Sequence, residues 1–348
     1  MGFLSILLLP FTFLYALGMR LRNHLYNIGY SRSFNFDIMV INVGNLSVGG
    51  TGKTPMVEYL IRLLSDRYSL ATLSRGYKRK TRGFRIANAS DTAVELGDEP
   101  FQFYLKYGKK MTVTVCEERA IAIPRILLKY PETQLILLDD GYQHRTVLPD
   151  FNILLTTYAK PFYEDLLLPS GRLRETRSGA KRASAVVVTK CPAELSNVEQ
   201  EKIIMKVKKY IREDTPVYFA YTVYHKIKSL YGKSGIKNKV ILFSGIANPQ
   251  SFYNYIKQHY DVVKEIIYPD HKNFSLSDIQ SLIKQAQTLG ASLLTTEKDA
   301  ARLYNERNAL LFKEINLFYL PIELKLIKDG KEFDGMVLEA ISKKYMHA

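Results

Sequence analysis

Cysteine is nearly missing from this 348-residue chain. Cys116 and Cys191 stand far apart, so neither a disulfide framework nor a cysteine-based metal site follows, and a reducing compartment is the simplest setting. Long Ser, Gly or Pro tracts and single-sign charge runs are absent, which excludes the usual signature of disorder. No segment repeats, which excludes a solenoid. Acidic residues are in deficit: 34 Asp and Glu face 49 Lys and Arg, a net charge of +15. Such a surplus draws polyanions, whether nucleic acid, anionic lipid headgroups or phosphorylated substrates, and also serves plain solubility. Charge is wholly missing from residues 2–19 (GFLSILLLPFTFLYALGM). A signal peptide carries its basic residues before the apolar stretch, whereas Arg20 and Arg22 follow it here. The run is marginal for a bilayer span of ~20 residues, and Pro10 interrupts it. The expectation is a helix lying in a membrane interface, with Phe11, Phe13, Tyr15, Tyr26 and Tyr30 suited to the headgroup zone; a buried core helix is the alternative.

What is present is ordinary globular material, 47% hydrophobic and 24% charged, long enough for one large or two fused domains. Short apolar runs at 36–43, 69–73, 111–115, 134–138, 151–155 and 185–188 read as strands and alternate with helical spacing. That pattern predicts an α/β fold, a P-loop NTPase-type doubly wound and mainly parallel sheet. From about residue 192 the character changes. A charged amphipathic helix is expected over 194–212, an aromatic-rich strand over 216–224, and a second, smaller α/β unit from the strand at 239–243 onward, with another strand at 291–294. The expected organisation is a membrane-associating helix at 1–35, a P-loop core at 36–190 and a second α/β domain at 191–348, whose last residues could return to the core.

The strongest chemistry lies between a strand and a helix: Gly44-Asn45-Leu46-Ser47-Val48-Gly49-Gly50-Thr51-Gly52-Lys53-Thr54, then Pro55. This is the setting of a Walker A loop, in which the segment Val48 through Pro55 binds the nucleotide and its backbone N–H groups, with the helix N-terminus, cradle phosphate oxygens. Lys53 would reach the β/γ-phosphates of ATP and the Thr54 hydroxyl would ligate Mg²⁺. The strict motif has Gly where Ser47 stands; Gly49 and Gly50 supply flexibility instead. Downstream, an apolar strand ends in Asp139-Asp140, a Walker B arrangement whose adjacent carboxylates favour a divalent cation.

Other segments, in order, complete a pattern: Ser74-Arg75-Gly76-Tyr77, Gly97-Asp98-Glu99-Pro100, Asp139-Asp140-Gly141-Tyr142-Gln143-His144, Pro169-Ser170-Gly171-Arg172-Leu173-Arg174-Glu175, Pro269-Asp270-His271 and Thr295-Thr296-Glu297-Lys298-Asp299. With the phosphate loop and the apolar N-terminus, they resemble the tetraacyldisaccharide 4′-kinases of lipid A biosynthesis over nearly the whole chain. The resemblance implies transfer of the ATP γ-phosphoryl group to the 4′-hydroxyl of a tetraacylated glucosamine disaccharide 1-phosphate. It also implies work on an acylated lipid at the cytoplasmic face of a Gram-negative inner membrane; the basic surplus and the apolar N-terminus add an expected contact with anionic headgroups, and neither nucleic acid nor an obligate protein partner is expected.

A sugar hydroxyl needs a proton acceptor, and Asp98 is the candidate base, as the resemblance also suggests; helix capping is the alternative role for an Asp-Glu-Pro turn. His271 could orient Asp98 or share the proton, in which case closure of two domains would assemble the site. Arg75, Arg119, Arg172 and Arg174 are candidates for phosphate contacts. Tyr77, Glu99, Gln143 and His144 are expected around the same pocket, and Lys298 has no assigned role. The basic stretch 77–85 (YKRKTRGFR) fits an anionic membrane surface, nucleic acid or a solvated loop. A membrane-associated ATPase or GTPase switch shares the phosphate loop but needs neither Asp98 nor His271. Val188-Thr189-Lys190 is only a partial guanine-reading segment, lacking the following Asp, so ATP is the expected nucleotide.

Overall fold

The computed structural model describes residues 6–232, 235–312, 315–328 and 330–346. After α1 (Leu9–Asn27), the chain lays down β1 (Met39–Asn45), α2 (Lys53–Leu64), β2 (Leu70–Ser74), the short β3 (Arg85–Ile86), α3 (Ala93–Leu96), α4 (Asp98–Tyr107) and β4 (Thr112–Val115). It continues through α5 (Arg119–Lys129), β5 (Leu135–Asp139), β6 (Phe151–Thr157), β7 (Ala185–Thr189), α6 (Asn197–Lys208) and β8 (Val217–Tyr224). These strands and a late one, β14 (Ile322–Leu326), form a nine-stranded sheet in the order β14-β8-β7-β6-β1-β5-β2-β4-β3. The seven strands from β8 to β4 are parallel, and β14 and β3 pair antiparallel at the two edges. Every residue of β1, β2 and β5 is buried, which is why these strands read as unbroken apolar runs rather than as alternation.

The winding direction reverses at β1. Early connections step outward through β2 and β4, later ones through β6, β7 and β8 on the other side. The crevice at the carboxyl end of β1 is therefore the place where such a sheet binds ligands.

A five-stranded sheet follows, in the order β11-β10-β12-β13-β9, built from β9 (Lys228–Ser229), β10 (Lys239–Ser244), β11 (Asp261–Ile267), β12 (Ser292–Thr296) and β13 (Leu317–Leu320). Its helices are α7 (Gln250–Lys257), α8 (Leu276–Leu289), α9 (Glu297–Leu303) and α10 (Glu306–Leu311). Ser275 and Asp278 make a reciprocal capping box at the start of α8, and Gly290 ends it in the left-handed region. The boundary expected near residue 190 falls just after β7, whereas this small sheet spans 228–320 and β8 still pairs with β7. Only two connections join the lobes, 225–227 and Pro321. They run side by side, with the His225 N–H donating to the Pro321 carbonyl at 3.0 Å and Tyr224 paired opposite Ile322.

The closing helix α11 (Lys331–Met346) packs on the large sheet. Phe333, Val337 and Ile341 are buried in one cluster with Met39, Ile41, Leu60 and Leu324. The helix expected over 194–212 is shorter in fact, because the Ser196 side chain accepts from the Glu199 N–H and fixes its start.

At the N-terminus, residues 2–5 of the apolar run lie outside the described residues. Helix α1 has Pro10 in its first turn, where a missing N–H costs nothing, and only Thr12 of it is buried. Phe11, Phe13, Leu14, Leu17 and Leu21 are all exposed, so the core-helix alternative does not hold. No helix of the described residues is long and apolar enough to cross a membrane.

Phe333→Ala should cost about 3–5 kcal/mol, because a fully buried ring at the junction of α11 and the sheet leaves a cavity. Urea denaturation measures it; a loss under about 1 kcal/mol would mean that α11 is not part of the folded unit.

Candidate active site

β1 stops at Asn45 and α2 starts at Lys53, so residues 46–52 turn at the carboxyl edge of the large sheet. Gly49 and Gly52 have φ of 105° and 85°, a backbone that only glycine adopts without strain. Val48, Gly49 and Gly50 are exposed on the loop, Thr51 is buried, and Lys53, Thr54 and Pro55 are half-buried in the first turn of α2. The loop is pinned from both sides: the Val48 N–H donates to the Arg172 carbonyl at 2.8 Å, and the Thr189 hydroxyl to the Thr51 carbonyl at 2.8 Å. Ser47 is buried and bridges Leu173, so its side chain is accommodated where the strict motif has Gly. Gly44, by contrast, has no room: a Cβ there would stand 2.6 Å from the Tyr142 Cβ and 2.9 Å from its backbone nitrogen.

Asp139 ends β5 beside this loop and Asp140 follows it, at φ 51°. Lys53 Nζ lies 3.6 Å from Asp140 Oδ1 and 3.5 Å from Asn45 Oδ1. Arg174 donates to both Asp140 oxygens, at 3.3 and 3.2 Å, and to Asn45 Oδ1 at 2.7 Å. Burial opposes ionisation of Asp140, yet Lys53 and Arg174 hold its carboxyl below the usual range. Asp139 differs. Burial first, then Glu99 and Asp140, push it up to about 7. Its Oδ2 accepts from the Ser74 hydroxyl at 3.3 Å, while Oδ1 is buried with no partner among the described residues.

Arg119, buried at the start of α5, donates to the carbonyls of Asp139 and Asp140 at 3.2 and 3.5 Å, but its Nε and Nη1 find no partner among the described residues. Among the described residues the Thr51 hydroxyl has no partner either. Buried polar atoms left unmatched are costly, and a carboxylate oxygen beside guanidinium nitrogens is the set that a divalent cation and phosphate oxygens would complete. The residues fit a metal–nucleotide complex.

Around this centre the other expected residues fall as follows. Gln143 donates through Nε2 to the Asn45 carbonyl at 2.8 Å. Burial, then Arg119 and Arg75, push His144 down to about 3, so it is neutral near pH 7. Arg75 is exposed at the end of β2. The Arg172 side chain turns to Asp165 at 2.8 Å, and it is Arg174 that reaches Asp140.

A second group forms between the lobes. Asp98 is the first residue of α4, but Gly97 holds the cap position and the Asp98 carboxylate makes no cap. Its Oδ2 instead accepts from His271 Nδ1 at 2.8 Å and from Arg302 at 2.9 and 2.7 Å. His271 sits at φ 59° with the Tyr77 ring edge-on at 5.3 Å. Glu99 takes an ion pair from Lys298 at 2.6 Å. Lys106 spans the gap between Glu58 of α2, at 2.5 Å, and Glu297 of α9, at 2.9 Å. Sequence reasoning passed over Arg302; its one signal was a position three residues beyond Asp299 on a short helix.

Helix α1 is tied to the same region by its polar side. Thr12 donates to Ser170 at 2.7 Å, Tyr15 to the Arg174 carbonyl at 2.7 Å, and Arg22 to the Gln143 carbonyl at 2.5 Å.

A glycine loop opening onto a helix with Lys and Thr at its start, facing an acidic pair at the end of a neighbouring parallel strand, defines a P-loop phosphotransfer enzyme. The family model for tetraacyldisaccharide-1-P 4′-kinase matches residues 4–342. The chain belongs to this kinase family. It is 43% identical over 346 residues to a tetraacyldisaccharide 4′-kinase of Flavobacterium psychrophilum and 44% identical over 348 residues to that of Flavobacterium johnsoniae, each alignment covering 98% of both proteins. It is also similar to a crystal structure of LpxK from Aquifex aeolicus in complex with ATP, with a TM-score of 0.74 at 29% identity, covering 97% of this chain and 99% of that one.

Gly44→Ala should destabilise the protein by about 1–3 kcal/mol through overpacking against Tyr142, and should weaken ATP binding because β1 and the acidic segment are pushed apart. Urea melts and calorimetric titration with ATP check it; wild-type values in both would show that the approach is not needed.

Proposed function

We propose that the protein transfers the γ-phosphoryl group of ATP to the 4′-hydroxyl of a tetraacyldisaccharide 1-phosphate, working at the cytoplasmic face of an inner membrane. The observation that carries the lipid acceptor is the two-sided character of α1. Its apolar face is exposed, while its polar face is bonded to Ser170, Arg174 and Gln143. Arg174 and Gln143 in turn touch Asn45 and Asp140 at the phosphate loop. A surface that holds α1 in its interface thereby holds the phosphate site at headgroup level, and the surplus of cations favours an anionic leaflet.

In this reading Lys53 and the loop N–H groups take the β/γ-phosphates. Thr54, Asp139 and Asp140 would hold Mg²⁺, which when bound neutralises charge on the phosphate oxygens. Arg119 and Arg174 offer guanidinium groups to anionic oxygens, of the nucleotide or of the acceptor's 1-phosphate. The pair Asp98–His271 takes the proton of the acceptor hydroxyl as its oxygen bonds to the γ-phosphorus and the bond to the bridging oxygen breaks, ADP leaving with the electron pair. Because Asp98 comes from the large lobe and His271 from the small one, closure of the lobes assembles the base.

A mixed-micelle assay with γ-labelled ATP, Mg²⁺ and the tetraacyl disaccharide 1-phosphate tests this. Label should enter the lipid, and Lys53→Ala and Asp98→Ala should each lose about a hundredfold or more. ATP hydrolysis without lipid labelling would point to the nucleotide-switch alternative, and full activity in Asp98→Ala would remove the base.

Membrane contact has its own test. Replacing Phe13 and Leu17 together by Ser should lower partition onto anionic vesicles by at least about tenfold, since each apolar side chain contributes roughly 1.5–3 kcal/mol on burial. Unchanged flotation with vesicles would sink the role given to α1.

A further inference from the structure

Arg302 is a nearly sealed cation, its side chain only 3% exposed, and it belongs to none of the motifs that carry the phosphate chemistry. Its guanidinium is held in place by three different groups. Nη1 donates to the Gly245 carbonyl at 2.6 Å and to Asp299 Oδ1 at 2.6 Å, while Nε and Nη2 converge on Asp98 Oδ2 at 2.9 and 2.7 Å. The seat itself is fixed. Asp299 is fully buried and its Oδ2 accepts from the Gly245 N–H at 3.0 Å and the Thr296 hydroxyl at 2.7 Å. The His271 N–H bonds to the same Gly245 carbonyl at 3.0 Å. One backbone carbonyl at the end of β10 thus sets both groups of the small lobe that meet Asp98. A side chain at Gly245 would crowd that seat, since a Cβ would stand 2.9 Å from the Lys272 Cβ and 3.3 Å from Asp299 Oδ1.

From this geometry we propose that Arg302 is a positioning residue for Asp98: it and His271 occupy Oδ2 and so leave Oδ1 as the atom that receives the acceptor hydroxyl. Among the described residues no hydrogen bond engages Oδ1, and Asp98 lines a small cavity together with Lys78, Lys80, Ala93, Val94, His271 and Asn273. Two guanidinium N–H groups converging on one oxygen fix where Oδ2 sits and from which side it is held, as a point charge cannot. The electrostatics agree. Burial would raise Asp98, but His271 and Arg302, aided by Lys298, hold its carboxyl well below the usual range. The other charges facing it are Lys78 and Lys80 on the cavity wall, Glu99 on its own helix (paired with Lys298), and Asp270 behind His271 at 3.8 Å.

The inference rests on the reading of Asp98 as the base, so Asp98→Asn is assayed beside Arg302→Met and Arg302→Lys in the mixed-micelle reaction. Arg302→Met should lower kcat by about a hundredfold with KM for ATP near the wild-type value. The acid limb of its kcat profile should move to higher pH, because Asp98 then protonates sooner. Arg302→Lys restores the charge without the fork, so the limb should return most of the way while kcat stays below wild type. Wild-type kcat in both Arg302 variants, or a loss that only tracks the folded fraction in thermal melts with the acid limb unmoved, overturns the proposal. If Arg302→Met fails to fold, Arg302→Lys alone decides by kcat against the wild type. A fully active Asp98→Asn overturns the base itself, whereas an inactive Asp98→Asn beside normal Arg302 variants overturns only the positioning role.

Discussion

Two carboxylates side by side at the end of a buried strand cannot both be ionised unless cations stand against them. Asp139 and Asp140 impose that condition, and much of the site answers it. Lys53 arrives from α2, Arg174 from the segment after β6, and Arg119 from the start of α5. Asp140 takes the direct ion pairs and stays acidic; Asp139, with an unmatched oxygen, carries the residual strain. Among the described residues, Asp139 Oδ1, the Thr51 hydroxyl and two nitrogens of Arg119 are left without partners there.

The same logic repeats between the lobes with the signs arranged differently. Asp98 has more cationic partners than it needs, Glu99 has Lys298, and Lys106, pairing with the buried Glu58 and Glu297, ties the phosphate-loop helix to the small lobe. Leu96, Phe101 and Val115 of the large lobe also pack in one buried apolar cluster with Ala301 of α9. Ion pairs so placed add little net stability relative to a greasy contact, but an unpaired partner is costly, which makes the docked geometry specific. The phosphate loop at one end of α2 and Asp98 at the start of α4 are thereby joined through side chains of α9.

The large sheet and its phosphate loop were legible in the sequence because parallel, doubly buried strands are written as continuous apolar runs, and because the Gly–Lys–Thr spacing is a local backbone requirement. The Asp pair was legible for the same reason. Residues whose role arises from tertiary juxtaposition were not. Arg172 and Arg174 are two apart and chemically alike, so spacing could not say which one turns to Asp165 and which to Asp140. Arg302 left no pattern beyond its distance from Asp299, since its partners lie at positions 98 and 245. The exposed apolar face of α1 was readable from composition, but not the bonds to Ser170, Arg174 and Gln143 that join it to the phosphate site.

The small lobe leaves the large sheet after β8 and returns as β14, and those two strands are hydrogen-bonded neighbours with Tyr224 opposite Ile322. In topological terms it is a long excursion spliced into the tip of a hairpin. Covalently it hangs from a single corner, like a gate on one post. Its angle is held by the side-chain bonds between α4 and α9, and no strand pairing bridges the two sheets.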